Sequence, residues 1–276
     1  MLGSHQRAGA AMTNPIGYVD STWNPMHGCS PVDESCAHCW AAIMAKRLAG
    51  SRTPTYDPDA PFKVTFNPAA LKRLPKKPQR IAVNFMGDMF HDAHDLQDIL
   101  SVISTMRAYQ QHTYIMLTKR PANMARIADL IGGFRANEWC GVSACNQRTW
   151  DERTYWLGQV NAAVRWVSIE PMLGPIVPSA LDLQRISWVV LGGENGPGAR
   201  PMQPDWVRAV RDACAAAGVP FWFKGWGKHH PLDDPMRSRC GEDDEFCARA
   251  IDRSNCARCL DGREHNGLPA QPEGRG

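Results

Sequence analysis

Short apolar runs alternate with longer amphipathic stretches through the middle of the chain. The runs are rich in β-branched and aromatic residues, which is typical of buried strands. The predicted strands are Ile81–Phe85, Thr113–Leu117, Trp139–Ser143, Val164–Ile169, Trp188–Leu191 and Pro220–Phe223. The segments between them show helical spacing and helix start and stop signals. The predicted helices are Leu96–Gln110, Pro121–Leu130, Arg148–Val160 and Pro204–Ala217.

Alternating apolar strands and helices favour a parallel sheet with helices outside it. With one more strand near Ser21–Met26, the pattern predicts an α/β fold, a full or partial (β/α) TIM-type barrel. An open doubly wound sheet is the alternative. No Gly-x-Gly-x-x-Gly follows the first strand, which argues against dinucleotide binding.

Polar residues follow the predicted strands directly, at the end where β/α folds place their chemistry. These residues include Asp88, Lys119-Arg120, Cys145, Glu170, Gly192-Gly193-Glu194 and Lys224. We call the opening that they are expected to surround the mouth. Several polar loops at one edge of a sheet indicate an enzyme.

The chain has 276 residues, of which 43% are hydrophobic, enough for one large core. The regular pattern ends near Lys228. We therefore predict three regions: residues 1–13 as a disordered N-terminus or tag remnant, 14–228 as the barrel, and 229–276 as a cysteine-rich metal-binding tail. The net charge of +3 permits a polyanionic partner without demanding one. No membrane-spanning run and no signal peptide are recognisable, so a cytoplasmic protein without membrane partners is expected.

Ten cysteines in a protein of a reducing compartment indicate metal binding rather than disulfides. Cys29, Cys36 and Cys39 have the spacing C-x6-C-x2-C, in a loop before a predicted helix at Trp40–Leu48. Three thiolates can hold three irons of a [4Fe–4S] cluster and leave the fourth open to S-adenosylmethionine (SAM). The alternative is a zinc site completed by His27 or His38.

A second group of cysteines lies in the predicted tail, with spacing C-x6-C-x8-C-x2-C. Its members are Cys240, Cys247, Cys256 and Cys259. Four thiolates would bind zinc or an auxiliary cluster, and four unrelated thiols are the alternative. Cys140 and Cys214 are expected in the core, whereas Cys145, at the mouth, is a candidate reactive thiol.

Several motifs together resemble one family. They are TWNPMHGC, CAHCWAAIMAKRL, NFMGDMFH, LTKRP, GVSACNQR, SIEPMLGP, LGGENGPGARPM and VPFWFKGWG. The chain resembles an uncharacterised family of phage and prophage proteins with three cysteines, from about Gly17 to Gly227 and again at Leu260–Glu264. That family is distantly similar to radical SAM enzymes such as spore photoproduct lyase. Such enzymes usually space their cysteines C-x3-C-x2-C, so the first gap here is three residues longer.

The resemblance implies a [4Fe–4S] cluster, SAM as cofactor, and an electron donor such as flavodoxin or ferredoxin. It places His38 near the adenine, and it makes Gly87-Asp88 similar to the element that receives the SAM amino group. Ser143 and Glu170 stand where ribose and methionine contacts are found. Gly192-Gly193 resembles the glycine-rich turn near the adenine. For each, a strand-end turn or helix cap is the alternative.

The predicted function is reductive cleavage of SAM to a 5′-deoxyadenosyl radical that acts on a nucleic acid base or a nucleotide, in modification or repair. Lys119, Arg120, Glu194 and Cys145 are the candidate catalytic residues, and Trp226 is a candidate stacking surface. Arg148, Arg200 and Lys224 add cations for phosphate. A metal site at His91 and His94 is a weaker alternative. The rival function is a non-catalytic zinc or iron–sulfur module that binds nucleic acid.

Overall fold

A computed structural model describes residues 16–51, 53, 55–229 and 258–270. The predicted disordered N-terminus, residues 1–13, and the cysteines Cys240, Cys247 and Cys256 lie outside these residues. In chain order the elements are β1 (Ser21–Trp23), β2 (Met26–His27), α1 (Trp40–Gly50), β3 (Thr65–Phe66), β4 (Arg80–Val83), α2 (Leu96–Ala108), β5 (Thr113–Thr118), α3 (Pro121–Leu130), β6 (Glu138–Ala144), α4 (Gln147–Gln159), β7 (Arg165–Ile169), α5 (Ala180–Leu183), β8 (Trp188–Gly192), α6 (Pro204–Ala217), β9 (Phe221–Gly225), β10 (Cys259–Leu260) and β11 (Arg263–Glu264).

Seven strands form one parallel sheet in the order β1-β4-β5-β6-β7-β8-β9, which is also their order along the chain. A doubly wound sheet would reverse its order at a switch point, so that alternative is wrong. The sheet curls into a half-barrel whose edges are β1 and β9. The prediction of an α/β fold with a partial barrel is confirmed at the level of strand order and sheet shape. None of the described helices combines the length and the apolar character that crossing a lipid bilayer requires.

Most predicted elements agree with the structure to within about two residues. Helix α6 begins with Pro204 at its first position and ends before Gly218, whose φ of 68° allows the left-handed turn that stops a helix. The strand predicted near Ser21–Met26 is split, because Pro25 has no N–H to donate to a sheet. Its second half, β2, pairs antiparallel with β3, a strand that the apolar pattern did not predict.

Helices cover the convex face of the sheet and bury one set of alternate strand residues. Ile81, Met116, Val142, Val167 and Phe223 belong to this core, which also contains the inner faces of the helices. Phe221 and Phe223 were expected on one core-facing side of their strand, and both lie there.

The other set of alternate residues faces inward and forms an aromatic layer at the amino ends of the strands. We call this layer the tryptophan floor; it consists of Tyr18, Trp139, Trp166, Trp188 and Trp222. The Tyr18 ring centroid lies 6.1, 5.1 and 5.9 Å from those of Trp166, Trp188 and Trp222. The floor closes the half-barrel below the mouth.

Residues 258–270, which we call the return segment, pack against the edge strand β9. The Gly267 N–H donates to the Phe221 carbonyl at 2.9 Å, and the Phe223 N–H donates to the His265 carbonyl at 2.8 Å. Leu260 is fully buried in the helix–sheet core. This portion of the predicted tail therefore shares the core of the barrel.

Candidate functional site

A cavity of about 560 Å³ opens at the carboxyl ends of the strands, at the predicted mouth. Its wall contains most of the residues singled out in the sequence. They are Cys29, Cys36, His38, Cys39, Gly87, Asp88, Lys119, Ser143, Glu170, Gly193 and Glu194. Positions spread over more than 160 residues thus converge on one site, because each follows a strand of the same parallel sheet.

The loop that carries the three cysteines is held against the end of β4 by two glycines. Gly28 and Gly87 form a parallel bridge, and the Gly28 N–H donates to the Met86 carbonyl at 3.0 Å. A Cβ on Gly28 would lie 2.1 Å from the Lys63 carbonyl oxygen, and its φ is 83°. Only glycine fits this close approach, which places Cys29 directly at the mouth.

The rest of the loop is fixed by a buried ion pair. Asp33 caps a short 3-10 helix, Glu34–Cys36, by accepting from the Ser35 N–H at 2.8 Å. Its other carboxylate oxygen accepts from Arg153 of α4, and both side chains are almost fully buried. Cys39 then stands at the N-terminus of α1.

The three thiols are half-buried. Among the described residues, the one set of three His, Cys, Asp or Glu ligand atoms within 4.8 Å of one another belongs to Asp33, Glu34 and Cys145, so the sulfurs of Cys29, Cys36 and Cys39 do not all lie that close together. Three thiolates are enough ligands for three irons of a cluster, or for three of the four positions of a zinc site.

Arg120 connects the cysteine loop to the sheet. Its guanidinium lies 3.3 Å from the Cys29 sulfur and 3.3 Å from Asp88 Oδ2, and it donates to the Ser30 carbonyl at 3.1 Å. Burial and the Asp88 carboxylate raise the pKa of the Cys29 thiol, although Arg120 opposes them. The Arg120 side chain is thus occupied by the protein, and its predicted catalytic role becomes one of positioning Cys29.

Asp88 is saturated with donors. One oxygen accepts from the Phe90 N–H (3.0 Å) and the Thr118 hydroxyl (2.7 Å), and the other accepts from the Lys119 N–H (3.1 Å) and Arg120. A carboxylate offers about four acceptor sites, so all are in use. The geometry makes Asp88 a support for the strand ends more than a receptor for an amino group.

A second ion pair crosses the cavity wall. Lys224 Nζ lies 2.6 and 2.8 Å from the two Glu170 oxygens. Beside this pair lie Ser143 and Ser168, neighbours in register on β6 and β7, which both line the cavity. Ser168 was missed, although it stands two residues before Glu170 and shares its face of the strand.

Glu194 is held by a third pair. Its carboxylate accepts three hydrogen bonds from Arg200, at 2.8, 2.8 and 2.5 Å, and His38 Nδ1 lies 3.1 Å away. Burial raises the pKa of Glu194, but Arg200 and His38 outweigh burial and lower it to about 2. A carboxylate held in this way positions neighbouring groups and does not exchange protons near neutral pH.

The glycines before Glu194 are required by close packing. A Cβ on Gly193 would lie 2.0 Å from the Trp226 carbonyl oxygen, and one on Gly192 would lie 3.3 Å from the Lys224 Cβ. They bring the end of β8 against the end of β9 and so set the position of the Glu170–Lys224 pair.

Lys119 differs from the other cations of the site. It lines the cavity, and within the described residues its ammonium forms no ion pair, whereas Arg120, Arg200 and Lys224 each face a carboxylate. Its charge helps to lower the pKa of the Asp33 carboxyl, but at a longer range than an ion pair, so its ammonium stays available in the wall.

Two predicted mouth residues are in the core instead. Cys145 is fully buried beneath the cysteine loop, with its sulfur 3.8 Å from a Glu34 oxygen, and burial raises its pKa. It is not among the residues that line the cavity, so the geometry lends no support to its catalytic role, which stays a prediction. Trp226 is 1% exposed, packs on Phe223 and donates to the Cys259 carbonyl at 2.9 Å. It offers no free face for stacking.

Two of the remaining candidates, Arg148 and His91, have structural partners. Arg148 pairs with Glu34 and Glu152 on the surface. His91 Nε2 lies 2.7 Å from the Ser30 hydroxyl and so supports the cysteine loop. Of the four tail cysteines, only Cys259 lies within the described residues, in β10.

Comparison with known proteins adds one finding. A family model described as "Protein of unknown function (DUF5131)" matches residues 13–269, nearly the whole chain. The chain belongs to the DUF5131 family. No curated protein and no solved structure matches it. The DUF5131 match includes the cysteine loop and the return segment as far as residue 269, so the family region extends beyond the predicted barrel at 14–228.

Proposed function

We propose that this DUF5131 protein is a radical SAM-like iron–sulfur enzyme that acts on a nucleic acid base or a nucleotide. One observation carries the proposal: three half-buried thiols line the same strand-end cavity as a Glu–Lys pair, two serines and a lysine outside any close ion pair. A fold alone does not determine a function, and this set of side chains supports the proposed one.

The cysteine loop supplies three ligands for a [4Fe–4S] cluster. Three thiolates at a strand-end cavity would leave one iron of a cluster open to SAM, which favours a cluster over a closed zinc site. When bound, the cluster supplies the electron that splits SAM into methionine and a 5′-deoxyadenosyl radical. The chain's own contribution is to hold Cys29 through Arg120 and to bury the thiols.

The cavity has room for SAM, because binding sites for small ligands measure roughly 300–1,000 Å³. Glu170 and Lys224 present both charges in its wall, which suits the ammonium and carboxylate of an amino acid. Ser143 and Ser168 offer hydroxyls for ribose or carboxylate oxygens. His38, next to Glu194, remains the candidate for adenine contact.

Lys119 supports an anionic substrate. An ammonium without a partner carboxylate attracts phosphate, and phosphate contacts position nucleic acids on proteins. A single strand, a flipped base or a free nucleotide fits a cavity of this size better than a duplex does.

Anaerobic reconstitution tests the proposal. The wild-type cysteine loop should bind about four irons. With dithionite, reduced flavodoxin or reduced ferredoxin as electron donor, the reconstituted protein should cleave SAM, and the 5′-deoxyadenosine formed measures this reaction. Cys36→Ala should lose both, whereas Cys214→Ala, which changes a buried core thiol, should keep both. Full iron content in a Cys29→Ala, Cys36→Ala, Cys39→Ala protein would contradict the assignment. A reduced cluster that never cleaves SAM would favour the non-catalytic nucleic-acid-binding module.

A second metal centre on Cys240, Cys247, Cys256 and Cys259 is a separate proposal, supported by their spacing. Its test should avoid truncation, because Leu260 is part of the core. Cys240→Ala with Cys247→Ala should remove zinc or the iron of one cluster and leave the cysteine-loop iron unchanged. An unchanged total metal content in this variant would indicate that the four cysteines are unrelated thiols.

A further inference from the structure

An exposed apolar rim stands beside the polar cavity. Trp40, Met44 and Val32 line the cavity and are 50%, 37% and 44% exposed. Apolar patches rimmed by polar groups mark binding surfaces more often than they mark incomplete cores.

The geometry of α1 explains why these side chains face the cavity. Ala41 and Ala45 are buried on the side of the helix that packs against Met86. Trp40 and Met44, four residues apart, share another side, toward the cavity. Alanines at the packed positions let the helix lie close to the loop, and the large side chains are left for the opening.

We propose that Trp40 is the platform on which an unpaired nucleic acid base stacks as it enters the cavity. The proposal rests on the nucleic acid substrate proposed above and assigns it a site. Trp226 was the earlier candidate for base stacking, but its rings are enclosed. Trp40 has an exposed ring face and directly follows Cys39 in the chain.

Charge complementarity selects a nucleotide over an apolar ligand. The cavity that Trp40 borders also contains Lys119, the wall cation that forms no close ion pair among the residues that the structure describes. An aromatic ring and an ammonium in the wall of one cavity match the base and the phosphate of a nucleotide. Indole rings stack on every base, so this surface provides affinity and little sequence preference.

The test measures binding of fluorescein-labelled 12-nucleotide single-stranded DNA and RNA by anisotropy, with the protein as isolated and after cluster reconstitution. Trp40→Ala should weaken binding about tenfold or more, the loss expected when one base–aromatic stack is removed. Trp40→Phe should retain most of the affinity. Trp156→Ala is the matched control, because Trp156 is 38% exposed on α4 and does not line the cavity.

Salt separates the contributions of Trp40 and Lys119. Trp40→Ala should leave the slope of log affinity against log salt unchanged, whereas Lys119→Ala should reduce it, because only the lysine releases counterions. In addition, 5-bromouracil placed in the oligonucleotide should crosslink to Trp40 in the wild-type protein on irradiation. This measurement needs no variant and stays valid if a substitution impairs folding.

Three results would each overturn the proposed stacking role of Trp40. The first is equal affinity of wild type and Trp40→Ala for the oligonucleotide, and the second is an equal loss of affinity in Trp156→Ala. The third is the absence of measurable oligonucleotide binding. Failure of the radical chemistry gives a different result: Trp40-dependent binding persists, and no 5′-deoxyadenosine forms. Conversely, SAM cleavage without any Trp40-dependent binding would refute the platform and leave the enzyme assignment intact.

Discussion

The tryptophan floor and the mouth lie on the same strands and on the same concave face of the sheet. Along a strand, a floor residue and a mouth residue are two to four positions apart. On β7, Trp166 lies in the floor and Ser168 in the cavity wall; on β9, Trp222 lies in the floor and Lys224 in the wall. The floor is held by aromatic contacts between adjacent strands. The mouth is held by ion pairs between residues far apart in the chain, such as Glu170 and Lys224. The comparison predicts that substitutions in the floor reduce stability most and that substitutions in the mouth affect the proposed binding most. Each expectation can be tested separately.

The largest loss of stability is expected from a substitution in the tryptophan floor. Trp188→Ala should lower the free energy of unfolding by about 3–5 kcal/mol, because it opens a cavity among buried rings and removes the bond from Trp188 Nε1 to the Gly267 carbonyl. Urea denaturation measures this loss. Trp156→Ala, at a partly exposed tryptophan, should cost far less, and equal losses would contradict the proposed role of the floor.

Arg120 is the mouth residue whose loss should cost most. Arg120→Ala removes the charge partner of buried Asp88 and frees the Cys29 loop, so we expect a loss of about 2–4 kcal/mol. Hydrogen–deuterium exchange at the backbone amides around Cys29 should then be several times faster in metal-free protein, as followed by mass spectrometry. Arg126→Ala, at an exposed position of α3, is the control. An unchanged exchange rate would show that Arg120 does not hold the loop.

Glu194 gives the mouth a specific pH dependence. Its pKa in the folded protein is about 2, below the value of ~4.3 for an unfolded chain. The stabilisation is therefore complete above pH ~4.3 and is lost as the pH falls toward 2. Glu194→Gln should be less stable than wild type by on the order of 1–3 kcal/mol at pH 6, and the difference should shrink with acid.

Urea titrations between pH 6 and pH 3 measure this difference. Asp205→Asn is the matched control, because the Asp205 side chain is 92% exposed and pairs with Arg208 at the surface. A wild-type advantage over Glu194→Gln that stays constant with pH would contradict the assigned cause.

The smallest stability effect is expected at the Glu170–Lys224 pair. Lys224→Met should cost about 1 kcal/mol or less, because the pair is partly hydrated and the methionine stem retains its packing. The affinity of the Lys224→Met protein for SAM, the proposed cofactor, should fall at least tenfold, as measured by calorimetry on reconstituted protein. The opposite result, a large stability loss with unchanged affinity, would make this pair a component of the scaffold.

The sequence predicted the strands well because their apolar runs are short and separated by clear helix signals. It also placed Glu170 and Lys224 at one edge, since both end parallel strands. It did not predict that they pair, because that contact joins positions 54 residues apart and depends on the curl of the sheet.

The two predicted mouth residues that are buried share one physical reason for it. Cys145 and Trp226 each come one residue after a strand ends, where alternation between the two faces no longer applies. The Cys145 N–H donates to the Thr149 hydroxyl at the start of α4, which turns the thiol inward. Gly225, with φ of 138°, redirects the chain before Trp226. Such turns depend on local hydrogen bonds that an apolar pattern does not encode.

The return segment also bears on how the protein is made. Ribosomes deliver the chain from the N-terminus, so β9 is complete before Gly267 has been synthesised. During that interval the nascent half-barrel has a free edge whose backbone groups are open to strands of other chains. Docking of residues 258–270 then shields that edge and places Leu260 in the core. Completion of the return segment therefore also protects β9 against pairing with other chains.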